Sequence, residues 1–125
     1  MLNHLTYEEI ELKVERILLQ WQQDKIELEE YFKYRDSKKA LPVMEKTIEL
    51  FREFLYASNG LITSVSNNID DCIIKPVNVQ ERLKFIVSRP RLYHSYVQLG
   101  ELFAEQEKQY ARKVALNKAK KKRPD

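Results

Sequence analysis

An all-α fold is predicted, an irregular bundle of four to five helices that ends in a frayed basic tail. Three observations predict it. Only two glycines and four prolines punctuate the 125 residues, too few turn-formers for a many-stranded sheet. Apolar residues recur at spacings of three and four over long stretches, the period of a helix with one buried face. Hydrophobic residues make up 43% of the chain, ample for one core at this length. The expected division is a helical domain over residues 1–116 and a flexible basic tail over residues 117–125.

The first helix starts at Thr6-Tyr7-Glu8-Glu9, where the Thr6 hydroxyl and the Glu9 carboxylate can each accept from the other residue's backbone N–H. Ile10, Val14, Ile17 and Trp21 then form one apolar stripe. Asp24-Lys25-Ile26-Glu27 repeats the capping pattern, so a restart is expected there, with a second helix from about Asp24 to Arg35. One helix from Thr6 to Arg35 is the alternative. Asp36-Ser37-Lys38-Lys39 reads as a connection. Leu41, Met44, Ile48, Phe51 and Leu55 make the seam of the next helix, Leu41 to Ser58. Pro42 is expected in its first turn, where a missing N–H costs least, and Gly60 supplies its stop. Leu61 to Lys75 lacks periodicity and reads as a long connection pinned by Val65, Ile69, Cys72, Ile73 and Ile74.

Pro76 to Tyr110 holds the densest mixture of aromatic, cationic and histidine side chains. Asn78-Val79-Gln80-Glu81 signals the start of a short helix, Val79 to Ser88. Arg89-Pro90 forces a joint, because proline disfavours helical geometry at the residue before it yet fits a first helical turn. A last helix from Pro90 to about Leu116 places Leu92, Tyr96, Leu99, Phe103 and Tyr110 on its inner stripe.

Pro76-Val77-Asn78-Val79, Glu81-Arg82-Leu83, Arg89-Pro90, Tyr93-His94-Ser95-Tyr96 and Gln98-Leu99 carry a resemblance. Together they resemble the C-terminal signature of the YpoC-like family, small uncharacterised proteins of Gram-positive bacteria. A looser likeness surrounds Trp21, Tyr31-Phe32, Arg35 and Pro42. The resemblance implies a compact helical domain of the cytoplasm. It brings no established activity and no catalytic residues to carry over.

The net charge of +3 hides an asymmetry. From Lys108 onward eight basic residues face one acid, which leaves 14 basic and 18 acidic residues before it. A mildly acidic body thus carries a cationic arm, suited to phosphate polymers, anionic lipid or acidic proteins. A single cysteine, Cys72, excludes an internal disulfide and fits a reducing compartment. The start of the chain lacks a cationic and apolar leader, and no apolar run approaches the roughly 20 residues that cross a bilayer. The expected setting is cytoplasmic, without a membrane.

Catalytic chemistry finds little to work with. Cys72 has no histidine near it in sequence, and His4 and His94 are the only imidazoles. One Cys and two His fall short of a usual zinc set, and Arg91 stands where a di-iron Glu-x-x-His pattern would need Glu. No Gly-rich phosphate loop occurs, so no cofactor is expected. The remaining cluster is Arg82, Lys84, Arg89, Arg91, Tyr93 and His94, four of them basic with no acid from Arg82 to Gln98. Guanidinium groups can clamp phosphate or carboxylate, and Tyr93 can stack on a ring. Alternatively Glu81 or an acid of the first helix pairs with these arginines and fixes the joint. Lys118, Lys120, Lys121, Lys122 and Arg123 form a candidate nucleic-acid-binding tail.

The function expected is therefore a non-enzymatic protein-interaction or adaptor domain of the bacterial cytoplasm with an unidentified protein partner. The alternative is a nucleic-acid-associated protein that holds the phosphate backbone through Arg89, Arg91 and the tail.

Overall fold

The first helix begins where its capping pattern places it. In the computed structural model, which describes residues 4–62 and 68–122, α1 spans Tyr7–Lys33. Thr6 and Glu9 close the reciprocal cap, with the Thr6 N–H donating to Glu9 Oε1 at 2.9 Å and the Glu9 N–H to Thr6 Oγ1 at 3.2 Å. The helix does not restart at Asp24. That residue sits mid-helix and buried, its carboxylate accepting from Gln20 Nε2 (2.8 Å), Thr47 Oγ1 (2.9 Å) and Lys46 Nζ (3.3 Å). The capping pattern there is a helix-packing contact, and the alternative of one long helix holds.

At the end of α1, Arg35 adopts φ 55 in the left-handed region. The Asp36 N–H reaches back to the Tyr31 carbonyl (2.8 Å) and the Arg35 N–H to that of Phe32 (3.1 Å), the paired bonds of a Schellman turn. α2, Ser37–Ser58, follows at once because the Asp36 carboxylate caps the Lys39 N–H at 3.1 Å. The expected connection over Asp36–Lys39 is thus a cap and a first turn. Pro42 consequently lies inside α2, leaving the Lys38 carbonyl without its usual helical donor. Gly60 ends α2 with φ 75, and the Gly60 and Leu61 N–H groups return to Ala57 and Tyr56.

Beyond α2 the chain crosses a 3-10 turn, Ile69–Asp71, before α3 at Val79–Ser88. Side chains hold the segment between them. Asn59 accepts from the Ile73 and Ile74 N–H groups (both 2.8 Å) and donates to the Ile74 carbonyl (2.8 Å). Gln106 donates to the same carbonyl and Gln109 to that of Lys75. Of the expected apolar pins, Cys72 is buried and Ile69 and Ile74 are half-buried. Ile73 is 92% exposed, and Val65 lies outside the described residues. The capping box expected at Asn78 is absent. Asn78 is left-handed, with φ 55, and makes no side-chain cap.

α4 spans Tyr93–Lys122. Pro90 belongs to a turn closed by the Leu92 N–H on the Arg89 carbonyl (3.2 Å), so the helix starts later than expected and runs past Leu116. The contacts fix the topology. Arg16–Glu53 and Asp24–Thr47 run α1 antiparallel to α2; Trp21–Phe103 and Phe32–Tyr93 run it antiparallel to α4. α3 packs on α4. The core lies between, with Trp21, Phe51, Phe54, Leu83, Ile86, Leu99, Leu102 and Phe103 buried. All described secondary structure is helical apart from an isolated bridge between His4 and Leu61, as an all-α bundle requires.

A left-handed arginine is strained because its Cβ crowds the following carbonyl. Arg35→Gly is expected to raise stability by ~0.5–1 kcal/mol, less than the full strain because glycine also loosens the unfolded chain. A higher urea midpoint at unchanged slope is the readout; a lower midpoint contradicts the left-handed turn.

Candidate partner-binding surface at the α3–α4 joint

The six residues expected to form a site divide into two groups. Arg82 is internal. Its guanidinium grips Glu105 with both nitrogens, at 2.9 and 2.6 Å, and donates to the Val77 carbonyl at 3.0 Å. The pairing holds the Glu105 carboxyl below its usual range and raises Arg82. Arg82 therefore clamps α3 onto α4. Its partner lies on α4, 23 positions away in sequence, and not at Glu81.

The joint itself is anchored by backbone. The Arg89 carbonyl accepts from the Leu92 N–H and, at 2.6 Å, from the buried Ser95 hydroxyl. That anchor leaves the Arg89 guanidinium outside, 5.7 Å from the Phe85 ring centre, in a cation–π contact. The same ring meets His94 edge-on at 5.8 Å. His94 Nε2 lies 3.1 Å from Gln98 Nε2, so the amide donates to the imidazole when that nitrogen is unprotonated. Tyr93 is exposed but braced, its ring 5.7 Å from Phe32 and 5.9 Å from Tyr96. Tyr96 turns inward to donate to Glu29 Oε1 at 2.9 Å; burial, then this bond, pushes its phenol up.

Lys84, Arg89 and Arg91 are exposed, and among the described residues none of their side chains has a hydrogen bond or an ion pair. Five other basic side chains, Arg16, Lys39, Lys46, Arg52 and Arg82, are paired with acids. Two apolar neighbours, Val87 and Leu92, are exposed at 46% and 43%. Leu92 was expected on the inner stripe of the last helix, but the turn at Pro90 moves that helix start past it. The joint thus presents cations, a braced tyrosine and two aliphatic side chains together.

The basic arm divides as well. Lys113 is half-buried and donates to the Ser58 carbonyl at 3.2 Å, closing the end of α2; burial lowers its pKa. Lys118 and Lys120 are exposed on the last turns of α4. Lys121 and Lys122 close that helix, their side chains outside the described residues, as is the whole of Arg123. Cys72 is buried against the Leu55 carbonyl, 4.0 Å from Sγ, and burial pushes its thiol up to about 11. Among the described residues, no three His, Cys, Asp or Glu side chains are grouped to hold a metal.

Comparison with known proteins fits this arrangement into a family. The family model described as "YpoC-like protein" matches residues 11–118, most of the chain. The chain belongs to the YpoC-like family. A stretch of 44 residues is 41% identical to the uncharacterized protein YpoC of Bacillus subtilis (strain 168). That stretch covers 35% of this chain and 27% of the relative, so the match spans little more than a quarter of the relative's length. No solved structure matches the chain. The YpoC-like family is uncharacterised and indicates no specific activity.

A thiol with its pKa near 11 is almost wholly protonated at pH 8, and only the thiolate alkylates. Iodoacetamide at pH 8 is expected to label Cys72 in the urea-unfolded chain while the folded protein stays unmodified over the same interval. Labelling should appear in the folded protein as pH rises toward 11. Equal rates folded and unfolded contradict the buried placement.

Proposed function

We propose that this domain is a non-enzymatic interaction module that holds an acidic protein partner against the α3–α4 joint. The supporting observation is the three cations without acids, Lys84, Arg89 and Arg91, beside exposed Val87, Leu92 and Tyr93. Unpaired guanidinium groups favour carboxylate or phosphate, and aromatic and aliphatic neighbours favour a partner with apolar side chains between its acids. The expected setting is the cytoplasm. No helix among the described residues is long and apolar enough to cross a membrane.

A second reading, binding to a nucleic-acid backbone, draws on the exposed Lys118 and Lys120 at the end of α4. It predicts a salt-sensitive affinity that falls when residues 117–125 are removed.

The experiment compares the native chain with the triple variant Lys84→Ala, Arg89→Ala, Arg91→Ala in a cross-linked pull-down. The native chain is expected to retain an acid-rich protein that added salt releases. The variant should lose it at unchanged melting temperature. Retention of the same protein by the variant contradicts the proposal, and a salt-sensitive nucleic-acid complex lost on tail removal favours the second reading.

A further inference from the structure

The side of α1 turned away from the bundle carries Leu12, Leu19 and Ile26, exposed at 69%, 62% and 73%. Scattered exposed aliphatics are ordinary. These three recur every seven residues, so they fall within about 40° of one another around the helix, in a line ~21 Å long. Beside Gln23, their neighbours in the same sector are Glu8, Glu15 and Glu30, all exposed and none paired with a basic side chain among the described residues. Arg16, at the edge of the sector, is already paired with Glu53 at 3.3 Å. Lys33 closes the far end over the Tyr34 ring. There the line opens into a groove of about 630 Å³ lined by Ile26, Glu29, Glu30, Phe32, Lys33 and Tyr93.

We propose that this face of α1 docks a basic amphipathic helix of a partner protein, one with aliphatic residues at heptad spacing flanked by lysine or arginine. Aliphatic side chains that recur every seven residues stay on one side of α1 and offer a second helix a line of apolar contacts, and the flanking charges decide which helix is accepted. The acids select a cationic partner. They also reject a second copy of α1. Pairing two copies antiparallel about Leu19 sets Glu8 against Glu30, and pairing them parallel sets each glutamate of this face beside its own counterpart. The partner's end at Ile26 gains a groove, lined in part by Phe32 and Tyr93, able to take a larger apolar anchor. None of the joint's cations lines the groove, and Tyr93 alone borders both surfaces.

The test uses the full chain and two fluorescent peptides of about three heptads, with the same leucine seam and either lysine or glutamate flanks. Fluorescence anisotropy is expected to show the lysine peptide binding, with affinity falling as salt rises. Leu19→Ser with Ile26→Ser should weaken it at least about tenfold at unchanged circular dichroism and melting temperature. Glu15→Gln with Glu30→Gln should weaken it less and flatten its salt dependence. The glutamate peptide should not bind. The proposal is overturned by no binding of the lysine peptide, by equal binding to the serine variant, or by equal binding of both peptides. It is also overturned if sedimentation shows a dimer that the serine variant dissolves, since the occupant is then a second copy.

Discussion

Three helices meet on the side chain of Phe103. Its ring lies flat on Trp21 of α1, with centroids 4.2 Å apart and planes 5° from parallel. Phe51 meets it edge-on at 5.2 Å, and Phe54 stacks at 6.0 Å. A short turn makes α1 and α2 neighbours, but no short connection brings α4 to either of them. That juxtaposition is set by packing. The burial of four aromatic side chains supplies both the drive and the orientation, because flat rings lock rotation as well as distance. From this stack the α1–α4 pairing runs outward through Trp21–Tyr96 and Phe32–Tyr96 to Phe32–Tyr93, and so fixes where the joint emerges.

Polar contacts then choose one arrangement among the apolar ones. A buried Asp24 carboxylate is costly unless its oxygens are satisfied, and here Gln20, Thr47 and Lys46 converge on it. Sliding α2 along α1 by a turn would take Thr47 and Lys46 away and leave that carboxylate only Gln20. The segment before α3 depends on the same device. It has little repeating structure, so its backbone groups find partners in the amides of Asn59, Gln106 and Gln109. Arg82 and Glu105 complete the set by holding α3 to α4. Surface charges left outside these ties include the cations at the joint and the glutamates along α1.

Local signals were legible in the sequence. Thr6-Tyr7-Glu8-Glu9 begins a helix, Gly60 ends one, and the seam through Met44, Ile48, Phe51 and Leu55 is buried as its spacing implies. Where reading failed at Asp24 and Arg82, the deciding partner was distant in sequence. Asp24 has the pattern of a cap, and only Thr47 and Lys46 on α2 show that it is a buried acceptor. Asn78 has the same pattern, yet its backbone turns left-handed and the cap does not form. Of the candidate surface, the run of cations around Arg89 was evident from residue order, but Glu105 as the partner of Arg82 was not. Exposed Leu12, Leu19 and Ile26 were hidden by a stronger stripe on the opposite side of α1, Ile10, Val14, Ile17 and Trp21.

The helix pairing centred on Phe103 thus positions both surfaces, and its strength is measurable. A double-mutant cycle with Trp21→Leu and Phe103→Leu, followed by urea unfolding, isolates the contact between the two rings from the cost of each truncation. Stacked rings in direct contact predict a coupling of about 0.5–1.5 kcal/mol, so that the double variant loses less than the two single losses added together. Strict additivity would mean that Trp21 and Phe103 do not touch, and α4 would then pack on α1 in some other way.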